Sequence, residues 1–174
     1  MSPDAVLPSE LATFLAGLGI ATATVVHEPL FTVEESQRHR GAIPGAHTKN
    51  LFLKDKKGRL FLVSALEETE IDLKHLHRHI GASGRLSFAD PEAMRQTLGV
   101  TPGSVTLFGL LNDRPPRISV VLDRQLLDHA LINCHPLANT ATTTIGRDDL
   151  LAFIRATGHQ PQVLAFPPPP PAEL

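Results

Sequence analysis

The sequence predicts an α+β fold in which helices surround a mixed, mainly antiparallel and barrel-like sheet. Three observations indicate this class. Segments rich in β-branched residues outnumber segments of helical periodicity. Neighbouring strand segments are close enough in sequence to form hairpins. No internal repeat or linker divides the 174 residues, so we expect one domain over residues 1–166 and a proline-rich tail over 167–174.

Capping residues and glycines set the limits of the predicted helices. Ser9 and Thr32 are candidate N-caps, and Asp90 caps a helix that has proline at its first position. Gly19 and Gly99 end two of the helices. The predicted helices cover residues 10–18, 33–40, 71–80, 91–98 and 147–156.

The predicted strands alternate apolar and polar residues or are rich in valine, isoleucine and threonine. They cover residues 21–27, 49–54, 60–66, 86–88, 104–111, 118–122, 131–134, 140–145 and 163–166. The second and third strands form a hairpin, because residues 55–58 between them include a glycine. Five consecutive prolines at 167–171 exclude the tail from both sheet and helix.

Composition and charge exclude several classes of protein. A net charge of -2 and the absence of tryptophan and tyrosine argue against a DNA-binding protein, because no basic stripe or stacking series is visible. No apolar stretch approaches the roughly 20 residues that cross a bilayer, so we expect no membrane association. The single cysteine allows no intrachain disulfide. We expect a cytoplasmic protein, since no signal-peptide pattern occurs at the start.

Familiar catalytic motifs are missing, which argues against nucleotide hydrolysis and Rossmann-type chemistry. His75 and His79 would share one face of a helix, but no cysteine or carboxylate has the spacing of a metal site. We therefore expect no metal and no cofactor. Cys134 and His135 are adjacent in a strand context, so their side chains must point to opposite faces. We therefore interpret Cys134 as a buried core residue. Asn133 lies on the same face as His135.

Three polar positions are candidates for chemistry. Lys49 lies between the Gly/Pro-rich residues 41–45 and an apolar run, where an ammonium group can neutralise phosphate or polarise an ester. Gly103 and Ser104 form a turn whose backbone N–H groups can approach a carbonyl. Residues 135–139 follow a strand, a common position for site residues. Each position also has a plain structural interpretation: a surface lysine, a turn and a polar loop.

These pieces occur together in one order. They are residues 27–35 (HEPLFTVEE), 47–53 (HTKNLFL), 99–105 (GVTPGSV), Asn112 and 135–142 (HPLANTAT). The ordered set resembles the YbaK/ProX-type prolyl-tRNA editing domain family, in its free-standing, trans-acting form. The resemblance implies an aminoacyl-tRNA deacylase that hydrolyses mischarged tRNA(Pro). The histidine–proline segment looks most like the branch that clears alanine, which makes alanyl-tRNA(Pro) the expected substrate. Other branches clear cysteine or another small amino acid.

The resemblance also implies the site residues. Lys49 would place positive charge near the terminal phosphate or the ester, and the backbone N–H groups at Gly103 and Ser104 would hold the carbonyl oxygen. His135 would orient the ribose hydroxyl or the amino acid and limit the size of the pocket. The expected substrate-binding residues are Pro29, Phe31, Thr32, Asn50, Leu51, Val105 and Asn139.

The expected partner is the acceptor end of mischarged tRNA(Pro), together with a transient contact with prolyl-tRNA synthetase. The expected tRNA-binding patch consists of basic residues in the second helix and the hairpin: Arg38, Arg40, Lys54, Lys56, Lys57 and Arg59. Three alternatives stay open at this point. They are a non-catalytic nucleic-acid-binding protein, an editing-domain relative that serves as a protein-interaction module, and a hydrolase for another small ester or amide.

Overall fold

A computed structural model describes residues 7–28 and 43–171. The helices in these residues are α1 (Ser9–Gly17), α2 (His77–Ile80), α3 (Pro91–Leu98) and α4 (Arg147–Ala156), with 3-10 helices at Leu107–Asn112 and Leu126–Asp128. The strands are β1 (Ala23–Val26), β2 (Ala46–Lys54), β3 (Leu60–Leu66), β4 (Ser87–Phe88), β5 (Ile118–Asp123), β6 (Leu131–Cys134), β7 (Ala141–Gly146) and β8 (Gln162–Leu164).

The strands form one sheet in the order β1-β7-β6-β2-β3-β5-β8, with β4 beside β2. In the described part of the chain, β1–β7, β2–β3, β2–β4 and β6–β7 pair antiparallel. The β2–β6, β3–β5 and β5–β8 pairs are parallel. The α+β prediction is confirmed, and the sheet is mixed rather than strictly antiparallel.

Strand β2 organises the sheet because it is long enough to pair with three neighbours. It pairs with β3 along one edge. On the other edge it pairs with β6 through Ala46 and His47 and with β4 through Leu53 and Lys54. The intervening residues 48–52 therefore lie on a stretch of that edge between two strands, and this stretch carries Lys49.

The two faces of the sheet bury different apolar clusters. Phe52 and Leu62 belong to the larger cluster, which also includes residues of α1, α3, α4 and the 3-10 helix Leu107–Asn112. Leu53 and Phe61, the next residues along the same strands, belong to the smaller cluster under α2. This alternation is the period of two expected for strands, and it assigns each side chain of β2 to one face.

One predicted strand is a helix. The sequence predicts a strand over residues 104–111, but the chain forms the 3-10 helix Leu107–Asn112. The Thr106 hydroxyl caps this helix by accepting a hydrogen bond from the N–H of Phe108 at 3.3 Å. A Cβ at Gly109 would lie 3.0 Å from Leu98, so glycine permits the close approach to α3. The segment is buried on all sides, and a short apolar run of that kind shows no period that separates strand from helix.

Two helix predictions need correction at their starts. The helix predicted over residues 71–80 is α2, only His77–Ile80, preceded by turns at 73–76. Asp72 accepts a hydrogen bond from Nδ1 of His75 at 2.7 Å. Ser9 is the first residue of α1 rather than its cap, since Pro8 holds the N-cap position without a side-chain bond.

The start of α3 is as predicted, because the Asp90 carboxylate accepts from the N–H of Ala93 at 2.8 Å and Gly99 ends the helix at φ +69°. The predicted helix over residues 33–40, with Thr32 as its cap, lies outside the described residues. Within the described ranges, no helix is both long and apolar enough to span a membrane, and no group of three His, Cys, Asp or Glu side chains is placed to hold a metal ion.

Candidate active site

Lys49 lies on the face of the sheet that carries the smaller apolar cluster, together with Leu51 and Leu53. Its side chain is half-buried, and its ammonium group donates a hydrogen bond to the backbone carbonyl of Thr69, in the turn after β3. The Lys49 ammonium is therefore held at a defined place instead of extending into solvent.

The turn that receives Lys49 is held by a buried carboxylate that the sequence analysis missed. The Thr69 hydroxyl donates to Oδ2 of Asp123 at 2.5 Å, and the N–H of Leu66 donates to the same oxygen at 3.0 Å. Oδ1 of Asp123 accepts from the N–H of Gln125 at 3.0 Å. Asp123 is fully buried at the end of β5. It therefore fixes the turn whose carbonyl holds Lys49.

The parallel pairing of β2 with β6 brings the loop that begins at His135 toward the strand that carries Lys49. The register pairs His47 with Asn133, β6 ends at Cys134, and His135 is the next residue. Cys134 packs in the larger cluster, as predicted, on the face opposite Lys49. Burial raises the pKa of the Cys134 thiol to about 12, partly offset by a hydrogen bond with Thr48, so the thiol is not a nucleophile at neutral pH.

The hydrogen bond of His135 fixes its tautomer. Nδ1 lies 3.0 Å from the carbonyl oxygen of Ala141, and a carbonyl only accepts, so Nδ1 carries the hydrogen and Nε2 of the neutral ring bears a lone pair. Burial lowers the pKa of His135, the bond to Ala141 opposes this, and nearby His27 lowers it further. His135 therefore offers a neutral acceptor nitrogen just after the end of β6.

His27 is a second site histidine, and it was absent from the predicted set although it opens the motif at residues 27–35. Its ring centroid lies 6.5 Å from that of His135. Nδ1 donates to the carbonyl of Glu28 at 2.7 Å, and Nε2 lies 2.8 Å from the hydroxyl of Thr142. The pairing of β1 with β7 creates this contact across 115 residues of sequence, so no local pattern could reveal it.

Asn50 faces the other side of the sheet. It lies opposite Ser64 in the β2–β3 register, and in the part of the chain that the structure describes, Asn50 Oδ1 and Ser64 Oγ are buried without a hydrogen-bond partner. Asn139 is buried in the loop after β6. The structure therefore separates Asn50 from Lys49, although the two are neighbours in sequence.

At the turn of Gly103 and Ser104, one of the two N–H groups predicted as donors is already bonded within the turn. Gly103 has φ +92°, a conformation that favours glycine. The N–H of Ser104 donates to the carbonyl of Thr101 at 3.0 Å. This N–H therefore closes the turn, which leaves that of Gly103 as the candidate donor. Val105 packs against the larger cluster and Leu51 against the smaller one, so these two predicted pocket residues lie on opposite faces.

The basic hairpin lies at the far end of β2. Lys54 is five residues from Lys49, about 16 Å along an extended strand. Arg59 is engaged, because it donates to Asp55 at 3.0 Å and to the carbonyl of Gly81 at 2.7 Å. Lys54, Lys56 and Lys57 are exposed. The remaining predicted site residues, which are Pro29, Phe31, Thr32, Arg38 and Arg40, lie outside the described residues.

Asp55 shapes that hairpin. Burial acts to raise the pKa of its carboxyl, but hydrogen bonds from the N–H groups of Ser83, Arg59 and Lys57 and from the Arg59 side chain lower the pKa to about 2. The carboxylate is thus ionised and satisfied within the turn.

Together, the fold and the site define an α+β domain with a lysine on one strand of a mixed sheet and a neutral histidine just after the end of the neighbouring strand. The aminoacyl-tRNA editing domain family matches residues 27–153, and this chain belongs to that family. The predicted family is thereby confirmed, and so is the enzyme class, an aminoacyl-tRNA deacylase, which acts on mischarged tRNA.

Similar proteins span nearly the same length. Prolyl-tRNA synthetase associated domain-containing protein 1 of Danio rerio is 41% identical over 162 residues, or 92% of this chain and 88% of the relative. Prolyl-tRNA editing protein ProX of Acetoanaerobium sticklandii is 36% identical over 143 residues, or 82% of this chain and 87% of the relative. A crystal structure described as a candidate trans-editing enzyme for prolyl tRNA synthetase has a TM-score of 0.69 at 24% identity, covering 96% of this chain and 99% of its own; it supports the fold.

Proposed function

We propose that this chain is a trans-acting deacylase that hydrolyses alanyl-tRNA(Pro). The pairing of the strand that carries Lys49 with the strand that leads into the neutral His135 is the observation that supports the proposal. The names of the relatives, which refer to prolyl-tRNA editing and prolyl-tRNA synthetase, support tRNA(Pro) as the tRNA. The histidine–proline segment at residues 135–136 supports alanine as the amino acid.

The reaction needs positioning more than a strong nucleophile, because the aminoacyl ester is already activated. Water attacks the ester carbonyl, an oxyanion forms, and the C–O bond to the ribose breaks. The departing ribose oxygen takes up the proton that the water loses, which releases alanine and free tRNA. The Lys49 ammonium stabilises negative charge on the oxyanion or the terminal phosphate. The N–H of Gly103 is a further candidate donor to the oxyanion.

His135 acts through Nε2. The lone pair on this nitrogen accepts a hydrogen bond from the ribose hydroxyl next to the ester, and that hydroxyl in turn orients the attacking water. The low pKa of His135 keeps the ring neutral, so the acceptor is present at neutral pH. Protonation of Nε2 would convert it into a donor and remove this contact.

Selection against proline is steric. A synthetase pocket built for proline rejects a smaller side chain weakly, because a missing methylene is worth only about 1–3 kcal/mol. A second pocket that admits alanine and excludes the proline ring performs the complementary selection. Leu51 shares the sheet face of Lys49 and is our candidate wall among the described residues, with Phe31 as the candidate outside them. Lys54, Lys56 and Lys57 contact tRNA phosphates.

The test is a panel of substrates. Purified protein is incubated with alanyl-, cysteinyl- and prolyl-tRNA(Pro), and release of each amino acid is followed over time. We expect release of alanine and retention of proline. Release of cysteine in preference to alanine would overturn the substrate assignment while preserving the enzyme class. Release of proline at the rate of alanine would contradict the steric selection.

The matched variants are His135→Ala and Lys57→Ala. The first removes the acceptor nitrogen after β6 and is expected to lower the rate of alanine release. The second removes an exposed charge of the hairpin, remote from the ester, and is expected to weaken tRNA binding without lowering the maximal rate. Equal maximal rates for wild type and His135→Ala would remove His135 from the mechanism.

A further inference from the structure

We propose that Phe88 is a stacking platform for a base of the single-stranded acceptor end of the tRNA. This inference rests on the proposed function, since it concerns how the same site holds its RNA. It adds an aromatic surface to a patch that the sequence defined by charge alone.

Phe88 is 62% exposed, more than any other large apolar residue in the described ranges. The others with notable exposure there are aliphatic: Leu18, Val25, Val26, Leu131 and Val163. A single exposed apolar residue is common on protein surfaces. Exposure alone therefore identifies Phe88 as a candidate, and its surroundings must show what it contacts.

The strand register places Phe88 on the catalytic face of the sheet. Phe88 lies directly opposite Leu53 in the antiparallel β2–β4 pair, so the two side chains point to the same side. Leu53 and Lys49 share that side, four residues apart, or about 13 Å along the strand. Leu53 is buried in the smaller apolar cluster, so an RNA strand with its terminal ester at Lys49 would reach the exposed Phe88 ring along the β4 edge of the sheet and not across that cluster.

The platform is firmly held. The N–H of Ala89 donates to the carbonyl of Phe52 at 2.9 Å, and Leu86, two residues before Phe88, packs into the smaller apolar cluster. Phe88 is thus an exposed ring on an anchored backbone. Little ordering of the chain is required for a base to stack on it.

Positive charge lies near the platform. Lys54 is exposed and pairs with Ser87, the residue before Phe88, and its side chain leaves the strand pair on the opposite face from the ring. Lys56 donates its N–H to the carbonyl of Ser83 at 2.9 Å, and its side chain runs over Gly84, where a Cβ would lie 2.6 Å from Cδ. These contacts place both lysines at the chain segment that leads into β4.

The nearby carboxylates are already engaged. Asp55 accepts from Arg59, Asp90 caps α3 through the N–H of Ala93, and Glu92 accepts from Arg95. An exposed aromatic ring with lysines nearby is a combination by which single-stranded nucleic acids are bound, with bases on the ring and phosphates on the cations. A protein partner would bury the ring without requiring the lysines, so the observations favour RNA.

The experiment compares Phe88→Ala, Phe88→Trp and a control, Val163→Ala, which removes an apolar side chain that is 40% exposed on β8. Each protein is assayed with alanyl-tRNA(Pro) and with alanyl-adenosine, the ester of the terminal nucleoside alone. We expect Phe88→Ala to raise the KM for the tRNA by about 5- to 150-fold, the range for loss of one base–aromatic stack. Hydrolysis of alanyl-adenosine should be unchanged, and Phe88→Trp and Val163→Ala should behave as wild type.

An unchanged KM for the tRNA in Phe88→Ala would overturn the proposal. An equal loss of activity on both substrates would also overturn it, because Phe88 would then act at the ester or be required for folding. Binding of fluorescently labelled, uncharged tRNA, measured by anisotropy, tests Phe88 independently of hydrolysis. If wild type binds this tRNA without deacylating alanyl-tRNA(Pro), the proposed function fails, and weaker binding by Phe88→Ala still supports the platform. Unchanged RNA binding with altered self-association in sedimentation would assign the ring to a protein contact and overturn the proposal.

Discussion

The effect of the bond between Thr69 and Asp123 can be measured quantitatively, because this bond supports Lys49 without touching the substrate. Thr69→Val replaces the hydroxyl by a methyl group of similar size and removes the 2.5 Å bond to Oδ2 of Asp123. A hydrogen bond to a charged group contributes about 1.5–3 kcal/mol. Since Asp123 keeps its bonds from the N–H groups of Leu66 and Gln125, we expect the free energy of unfolding to fall by that amount.

The same substitution should slow catalysis. With the hydroxyl gone, the turn that carries the Thr69 carbonyl is less constrained, and the Lys49 ammonium bonded to it shifts. A displacement of about 1 Å in a catalytic group can cost up to roughly 100-fold in rate. We therefore expect a decrease in kcat of about 10- to 100-fold at saturating alanyl-tRNA(Pro), with little change in KM. Urea unfolding and single-turnover deacylation at a temperature where the variant is folded measure the two effects separately.

Two variants separate positioning from general loss of stability. Thr69→Ser retains the hydroxyl and should recover most of the rate. Thr97→Val removes another buried hydroxyl, which donates to the carbonyl of Ala93 at 2.6 Å within α3, and should leave kcat unchanged. A Thr69→Val protein that is destabilised as expected but retains the wild-type kcat would refute the positioning role of Thr69 and Asp123.

Three further predictions follow from individual residues. Burial and His27 lower the pKa of His135 below its ordinary 6.5. The deacylation rate should therefore be constant near neutral pH and fall as pH drops through the lowered pKa of His135. The His135→Gln variant should lose this decrease in its pH–rate profile. Asp55 has a pKa of about 2 against an ordinary 3.8. Its contribution to stability is therefore complete above pH 3.8 and is lost as pH falls through about 2. In Asp55→Asn, the free energy of unfolding should depend less on pH between these two pH values. Gly109→Ala would place a Cβ 3.0 Å from Leu98 and should destabilise by about 1–3 kcal/mol in urea unfolding, whereas Gly17→Ala, with no atom within 4 Å of the added Cβ, should be neutral or stabilising.

The sequence was sufficient where local chemistry determines the structure. Helix α4 and strand β6 have the predicted limits, Arg147–Ala156 and Leu131–Cys134, and Asp90 caps α3. The sequence was insufficient at residues 104–111, because a run buried on every side is compatible with either a strand or a helix. Periodicity carries information only where one face of an element is exposed.

The same distinction between local sequence and tertiary contacts applies to the site residues. Lys49 and His135 could be named from short motifs, and the structure pairs the strand that carries Lys49 with the strand that leads into His135. This parallel pairing of β2 with β6 joins His47 to Asn133 across 86 residues of sequence. The missed residues, His27 and Asp123, act through contacts with Thr142 and Thr69 that only the assembled sheet creates.

The most direct test of the central claim is the rate of alanine release from alanyl-tRNA(Pro) by wild type and by Lys49→Ala, with urea unfolding used to establish that both proteins are folded. We expect rapid release by wild type and a rate near that of spontaneous hydrolysis for a folded Lys49→Ala protein. Equal rates for the two folded proteins would contradict the assignment of Lys49, and the site built around it, as the centre of deacylation.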